Sequence, residues 1–465
     1  MLRQYRDVVV VSARNARTVG VPFSVVVLVL SLTPLALHAD PVESPGVAPS
    51  SESNVISPET PVPLGQRLTL PSSGGEKFWS RPQLTGEWDD SRDTSAEHGL
   101  TFFGDLTQYY QGVTTGGLAQ KFKYGGRGDY LIEVDTQKLG LWEGGHLDLR
   151  AETRLGQDCN DIDGTVARSN FAMALPLSGE NVTSLTGVQY THDLTDSMSV
   201  YFGKLNLLDG TPTAYARGMR LNYFWNVAMQ SNLSRAYLYP STLGAGVTVR
   251  NDVDSVFNLY LLDSHYTPTT SGLSNLFSNG MVAYGEYQVQ TNWCDLPGHS
   301  AIGLLYSTAK RTTLDPNPYQ FLEAVLTGEP LPQKDSAWTV IYRFDQVVHA
   351  DGEDARRNWT LNSDLGLTEG NPNPIRWFAN VSLVGGSPIR GREDDSVGIG
   401  YYHLGVSNLP ILTTLGFGAE NGVELFYNAA VTPRFHVTPD LQILDPAQRH
   451  NPTALLVGIR ARLSF

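Results

Sequence analysis

Hydrophobic and polar residues alternate one by one along several stretches of this chain, and the clearest case is its last eleven residues. In residues 455–465, one set of alternate positions is apolar and ends at Phe465, whereas the other set contains Arg460 and Arg462. Successive side chains of a β-strand point to opposite faces, so this strand needs an apolar environment on one side and water on the other. Taken alone, the pattern fits either a strand of an outer-membrane barrel or an edge strand of a soluble sandwich.

The same division into two faces recurs earlier in the chain. In residues 146–155, every second position from His146 to Arg154 is charged or histidine, and the positions between them are apolar or threonine. Related patterns lie in residues 130–135, 284–293, 338–345, 376–383 and 423–431. A soluble core would not accept polar faces of this kind. The repeated pattern therefore predicts an all-β protein, a transmembrane antiparallel β-barrel.

The connections between these strands are of two lengths. Residues 142–145, 194–197 and 251–254 form short turns, whereas residues 156–181, 266–280 and 311–335 form long polar stretches. Short periplasmic turns and long outer loops are typical of outer-membrane barrels. At about 10 membrane residues per strand, residues 100–465 accommodate about 16 strands, with 18 as the alternative count.

The beginning of the chain predicts export. Arg3, Arg6, Arg14 and Arg17 precede an uncharged run over residues 19–37, and Ala39 ends a candidate cleavage site, so residues 1–39 are predicted to be a signal peptide; an uncleaved anchor is the alternative. Residues 40–77 are rich in proline and serine and are predicted to be a flexible linker. Residues 78–99 form an N-terminal segment with a short helix predicted over residues 87–98, and residues 100–465 form the barrel.

Composition and charge narrow the class of partners. The chain has 45 glycines and 21 tyrosines but only 2 cysteines, which argues against a disulfide-stapled secreted domain. Removing residues 1–39, with four arginines and one aspartate, changes the formal charge from −14 to −17. So acidic a chain is not expected to bind nucleic acid. The sequence does not decide whether Cys159 and Cys294 pair.

Several motifs follow one another in fixed order from about residue 82 to the end. They are residues 84–88 with Arg92 and residues 98–100, then residues 139–145, 202–206, 208–209, 401–405, 419–420, 424–427, 431–433, 438–442, Pro446 and 458–465. In this order and spacing they resemble the carbohydrate-selective outer-membrane porins of the OprB family. Two departures are that Asp89 and Asp90 replace a usual pair of glycines and that Leu141 stands where glycine is common.

The resemblance implies a function and a set of partners. The expected function is passive diffusion of mono- or oligosaccharides through a water-filled barrel with a charged constriction in the outer membrane. The expected partners are saccharides, outer-membrane lipid, the barrel-assembly machinery acting on the C-terminal strand, and further copies of the chain in a homotrimer. The preferred sugar stays undetermined, because the loops share little with the family.

A sugar pore needs charged groups that bind hydroxyls and flat aromatic surfaces for stacking. The lumen-facing rows offer as donors Arg150, Arg154, Arg343, Arg376, Arg460 and Arg462, and as acceptors Glu133, Glu152, Glu286 and Glu424. Arg460 is the best single candidate because it combines its strand position with a family motif. For each residue the alternative role is a wall ion pair. Trp88, Tyr109, Tyr110 and Trp142 are candidates for stacking, with interfacial anchoring as their alternative role.

Enzyme and metal motifs are poorly represented. The chain has no Gly-x-Ser-x-Gly, His-Glu-x-x-His or phosphate-binding loop motif. Residues 158–164 resemble a calcium loop but lack its first ligand and its late glutamate, so no cofactor or metal is predicted. A general or cation-preferring porin is the alternative function. An outer-membrane barrel enzyme and an adhesin are weaker alternatives.

Overall fold

The computed structural model describes residues 91–207, 223–251, 255–352 and 357–465. The predicted signal peptide, the linker and the first part of the N-terminal segment lie outside these ranges, as do Trp88 and the motif at residues 208–209. A helix, α1, covers Ser91–Glu97, within the region where one was predicted.

The rest of the described chain is mainly β-structure. The strands are β1 (Leu100–Thr115), β2 (Phe122–Asp135), β3 (Gly145–Gly156), β4 (Val182–Thr195), β5 (Met198–Asn206), β6 (Ser241–Asn251), β7 (Ser255–Asp263), β8 (Met281–Trp293), β9 (Leu296–Ser307), β10 (Arg311–Thr312), β11 (Gln333–Lys334), β12 (Ala337–His349), β13 (Trp359–Thr368), β14 (Ile375–Gly386), β15 (Ser396–Val406), β16 (Glu420–Thr432), β17 (Phe435–Asp445) and β18 (Ala454–Ser464). The other helices are α2 (Val227–Gln230), α3 (Pro318–Thr327) and α4 (Pro410–Thr414), with 3₁₀ turns at Ala172–Ala174 and Leu273–Asn275.

Within the described residues, sixteen strands form one closed antiparallel barrel. Each strand pairs with its neighbours along the chain, and β1 pairs with β18 to close the ring. β10 and β11 pair with each other as a separate two-stranded sheet in the connection between β9 and β12. The predicted all-β antiparallel barrel of about 16 strands is confirmed.

The alternating patterns place side chains as expected. In β18, Arg460 and Arg462 are buried inside the barrel, whereas Ile459, which directly precedes Arg460, is 47% exposed on the outer face. In β12, Arg343 is buried and its neighbour Tyr342 is 42% exposed. Outer faces of this kind remain apolar because lipid covers them.

The connections divide the barrel into two ends. Among the described strands, the long connections after β3, β5 and β9 begin and end at the same end of the barrel, which we call the loop end. The opposite turn end holds the shorter connections on the whole, together with α1 and the C-terminus. There Arg92 of α1 donates to the carbonyl oxygens of Phe102 (2.6 Å) and Phe465 (3.1 Å), across the seam between β1 and β18. No helix in the described ranges is long and apolar enough to cross a bilayer.

Much of the hydrophobic core lies inside the barrel. Apolar residues of the connections after β3 and β5 pack against inward-facing wall residues, for example Phe224 against Phe426 with ring centroids 4.9 Å apart. A second cluster joins Leu238 to Tyr260 and Tyr284 of the wall. Two connections therefore line the lumen as an inner layer.

Candidate functional site

The first inner loop, residues 157–181, follows β3 and folds into the barrel. Its 3₁₀ turn and Phe171 are fully or almost fully buried. Glu420 of β16 accepts hydrogen bonds from the backbone N–H groups of Val166 (2.7 Å) and Ala167 (2.8 Å). Gln442 of β17 donates to the Ser169 carbonyl oxygen at 2.9 Å. The loop is thus fixed by its peptide groups to the far wall.

The second element, which we call the inner belt, comprises residues 223–240 after β5. It follows the wall circumferentially, because successive parts of it contact different strands. The Asn226 N–H donates to Glu424 of β16 (3.0 Å), the Ala228 carbonyl accepts from Asn380 of β14 (2.7 Å), and the Ser234 carbonyl accepts from Thr339 of β12 (3.2 Å). Farther along, the Arg235 guanidinium lies 5.8 Å from the Tyr284 ring centre on β8.

A charged cluster on β2 and β3 holds the first inner loop from the near wall. Arg127, which is fully buried, forms two hydrogen bonds with Asp129 (2.6 and 2.7 Å) and lies 2.7 Å from Glu152. It also donates to the Ala172 carbonyl oxygen at 2.9 Å. Arg150 lies within 3.5 Å of Glu152 and 3.8 Å of Asp129. The predicted donors and acceptors of this region are therefore paired with one another.

Arg154, the third predicted residue of β3, also binds the first inner loop. It donates to the Met173 carbonyl oxygen at 2.5 Å and forms an ion pair with Asp158. A guanidinium can satisfy several acceptors at once in a fixed geometry, which suits it to holding a loop without regular structure.

Glu424 and Arg460 hold the beginning of the inner belt. Both oxygens of Glu424 accept backbone N–H groups, one from Trp225 and one from Asn226. Arg460 donates to the Tyr223 carbonyl oxygen at 3.0 Å, and its guanidinium lies 5.6 Å from the Trp225 ring centre. These two predicted residues are thus brought together by the belt.

The remaining predicted residues of the wall form local ion pairs. Arg343 of β12 pairs with Glu286 of β8, which also accepts a hydrogen bond from the Tyr284 hydroxyl at 2.5 Å. Arg462 lies 2.9 Å from Asp105 of β1 at the turn end. These groups of charges lie on different parts of the wall, and saccharide binding by any of them stays a prediction.

Arg376 does not lie where the alternation placed it. The pairing of β14 with β15 shifts between Ile375 and Trp377, so the register breaks at the first residues of the strand. Ile375 is buried, whereas Arg376 is exposed and donates to the Glu369 carbonyl oxygen at 2.8 Å. Arg376 therefore lies at the loop-end rim and not in the buried inner row. Glu133 is partly exposed and lies directly across from Asp148.

Several residues of the site were missed from the sequence. They are Arg127, Asp129, Glu420, Gln442, Asn380 and Trp225. A signal was present for the inner belt, because residues 223–240 are rich in apolar and aromatic residues without a period of two. Of the predicted aromatic residues, Tyr109 points inward to Trp225, whereas Tyr110 and Trp142 are about half exposed.

The carboxylates of residues 158–164 have partners within the protein. Asp158 pairs with Arg154, Asp161 lies within hydrogen-bond distance of Lys123, and Asp163 binds backbone N–H groups. Among the described residues, no group of three or more histidine, cysteine or acidic side chains is placed to hold a metal. Cys159 is buried and Cys294 is exposed, and both are free thiols.

Asp163 makes the packing of the first inner loop dependent on pH. It is fully buried and accepts hydrogen bonds from the Thr165 N–H (2.9 Å) and hydroxyl (3.0 Å) and from the Ser169 N–H (3.3 Å). Burial raises the pKa of Asp163 to about 6, although these hydrogen bonds lower it. The pKa of Asp163 is higher in the folded loop than in an unfolded one, so protonated Asp163 stabilises the folded loop. This stabilisation is complete below about pH 4 and is lost as the pH rises through 6.

We therefore expect Asp163→Asn to stabilise the first inner loop at pH 8 by roughly 2–3 kcal/mol and to leave it unchanged near pH 4. The measurement is the rate at which a protease cleaves the loop, compared between wild type and variant at each pH. The comparison at equal pH removes the pH dependence of the protease itself. A constant ratio of the two rates from pH 4 to 8 would contradict the prediction.

Comparisons with known proteins identify relatives of the barrel. The sequence profile of the family described as carbohydrate-selective porin, OprB family, matches residues 119–465. The high-pH structure of Pseudomonas putida OprB superposes with a TM-score of 0.71 at 21% identity, covering 84% of this chain and 100% of that one. The low-pH structure of the same protein gives a TM-score of 0.53 at 18% identity, covering 83% and 99%. No curated protein sequence matches the chain.

Proposed function

The chain belongs to the carbohydrate-selective porin family, OprB, and from this premise we propose that it carries mono- or oligosaccharides by passive diffusion across the outer membrane. The observation that carries the proposal is the family match over residues 119–465, which covers most of the barrel. A closed barrel of sixteen strands is wide enough to hold water when its interior is empty. The family and the fold thus favour a channel of the outer membrane over an enzyme.

The inner loop and the inner belt support selective passage. Both lie inside the barrel and are fixed to the wall by buried carboxylates and a buried amide, so they narrow the lumen. Sugars are uncharged but carry many hydroxyls, and a narrowed polar opening can discriminate among them by size and by hydrogen bonding. Candidate hydrogen-bond partners for the sugar hydroxyls are Arg150, Glu286 and the other wall charges.

The proposal is tested by the conductance of the purified mature chain in planar bilayers, titrated with glucose and with maltooligosaccharides. We expect a steady conductance that falls with increasing sugar concentration, because a bound sugar blocks ions in a narrow pore. The control is the same titration with an uncharged polymer too large to enter. No conductance in correctly folded protein would contradict a channel, and conductance without any sugar-dependent block would contradict a saccharide pore.

A cation-preferring porin is the second candidate, and one observation favours it. Glu133 and Asp148 lie directly across from each other on partly exposed inner positions of β2 and β3. Two carboxylates on directly paired residues attract cations. The reversal potential in a salt gradient separates the two candidates, since a sugar pore without ion preference gives a value near zero.

We further propose that the barrel-assembly machinery engages β18 and that the protein assembles as a homotrimer. The apolar outer face of β18 supports the first proposal. Membership of the porin family supports the second proposal, and chemical crosslinking in the native membrane tests it.

A further inference from the structure

Trp225 lies at the beginning of the inner belt and is enclosed by the wall. The residue is 1% exposed. Its ring lies edge-on to Tyr109 of β1, with centroids 5.3 Å apart and planes at 87°. The Arg460 guanidinium lies 5.6 Å from the ring centre. Two adjacent strands, β1 and β18, thus hold the indole.

The backbone of Trp225 joins the belt to two other parts of the molecule. Its N–H donates to Glu424 of β16, and its carbonyl oxygen accepts from the Phe171 N–H of the first inner loop at 2.7 Å. The residue is therefore the point where the wall, the inner belt and the first inner loop meet.

Glycines of the wall allow the belt to lie close to it. A Cβ atom added at Gly458 of β18 would lie 2.6 Å from the Trp225 ring. At Gly400 of β15 it would lie 2.7 Å from the sulfur of Met229, and at Gly366 of β13 it would lie 2.0 Å from the Ser234 hydroxyl. At these three places along the belt the wall has no side chain, so the belt takes up less of the lumen.

We propose that Trp225 is a positioning residue for selectivity: by fixing the beginning of the belt against Gly458, it sets the largest saccharide that the pore admits. This inference rests on the proposed function. The belt follows the inner face of the wall from β16 to β8, so the space that remains inside the barrel depends on how far the belt stands from the wall. Trp225 acts on the sugar only through the belt and the loop that it holds.

A single methyl group tests this without removing any hydrogen bond. Since carbon atoms pack at about 3.5–4.0 Å, Gly458→Ala must push the indole inward by about 1 Å. The reverse change is Trp225→Ala, which removes the ring and loosens the belt. Trp225→Phe keeps an aromatic ring and loses no hydrogen bond, because the indole N–H has no acceptor among the described residues. The control is Gly285→Ala in β8, where an added Cβ meets nothing closer than 3.9 Å.

The measurement is the rate of liposome swelling in glucose, maltose and maltotriose, with single-channel conductance and the thermal unfolding midpoint recorded for each variant. We expect G458A to lower both the conductance and the maltotriose-to-glucose ratio several-fold, and W225A to raise both. W225F and G285A are expected to keep the wild-type ratio. If G458A does not fold, the contrast between W225A and W225F decides the question.

The readout separates a positioning role from a merely structural one. The inference would be overturned if G458A and W225A both lowered the unfolding midpoint but left the maltotriose-to-glucose ratio unchanged. The proposed function would still stand in that case, provided that the wild type carries sugar. An absence of sugar flux in the wild type itself would instead overturn the proposed function.

Discussion

Arg127→Met is expected to detach the first inner loop from the barrel wall and to destabilise the folded protein by about 3–5 kcal/mol. The methionine fills a similar volume but removes the closer of the two guanidinium groups beside Asp129 and Glu152, which leaves them buried with Arg150, at 3.8 and 3.5 Å. The carbonyl oxygens of Ala172 and Leu175 lose their donor at the same time. Removing one partner of a buried ion pair costs more than the pair contributes, because the remaining charges stay desolvated.

The measurement for Arg127→Met is thermal unfolding in detergent together with the rate of proteolysis within residues 157–181. The matched control is Arg376→Met, which removes an arginine of the same barrel that is exposed and donates to the Glu369 carbonyl oxygen. We expect the control to unfold like the wild type. Equal effects of the two substitutions would show that the buried cluster does not hold the loop.

Glu420→Ala is expected to release the same loop from the opposite wall. The carboxylate accepts the N–H groups of Val166 (2.7 Å), Ala167 (2.8 Å) and Ala447 (3.1 Å), and also the Tyr402 hydroxyl at 3.1 Å. Alanine leaves these donors buried without an acceptor, at a cost of roughly 1–3 kcal/mol for each. Because the barrel ladders do not involve this side chain, the strands should still form while the loop becomes mobile.

For Glu420→Ala we therefore expect a larger and noisier single-channel conductance and faster cleavage of residues 157–181. Glu420→Gln is a graded variant, since its amide keeps one acceptor oxygen, and it should fall between alanine and the wild type. Glu143→Ala, in the exposed turn between β2 and β3, controls for the loss of an acidic residue. Wild-type conductance in the alanine variant would argue against the loop as part of the constriction.

The barrel was predictable from the sequence because its evidence is local. A strand with lipid on one side and a polar interior on the other must alternate apolar and polar residues, as β3 and β18 do. The two faces of each strand can therefore be identified from its own residues, without knowledge of the strands it pairs with. The strand count followed from the length of the barrel region divided by the length of a spanning strand. The family motifs over residues 401–465 added the transport class.

The candidate site was only partly predictable, because its wall residues contact loop and belt residues that are distant in the chain. Glu424 and Arg460 were recognised as inward-facing, but their contacts with Trp225 and Tyr223 join residues about two hundred positions apart. No pattern within a single strand indicates contacts with residues so distant in the chain. The register shift at Ile375, which moves Arg376 to the rim, depends on the pairing with β15 and is likewise invisible locally.

The sequence by itself determined the class of fold, the two faces of each strand and the family, since alternation and motif spacing are properties of neighbouring residues. Only the tertiary structure decided what the inward charges contact. Arg154 and Glu424 hold peptide groups of the first inner loop and the inner belt, because irregular segments folded into a barrel must satisfy their N–H and C=O groups there. The wall supplies the partners, and the closure of sixteen strands brings them within reach.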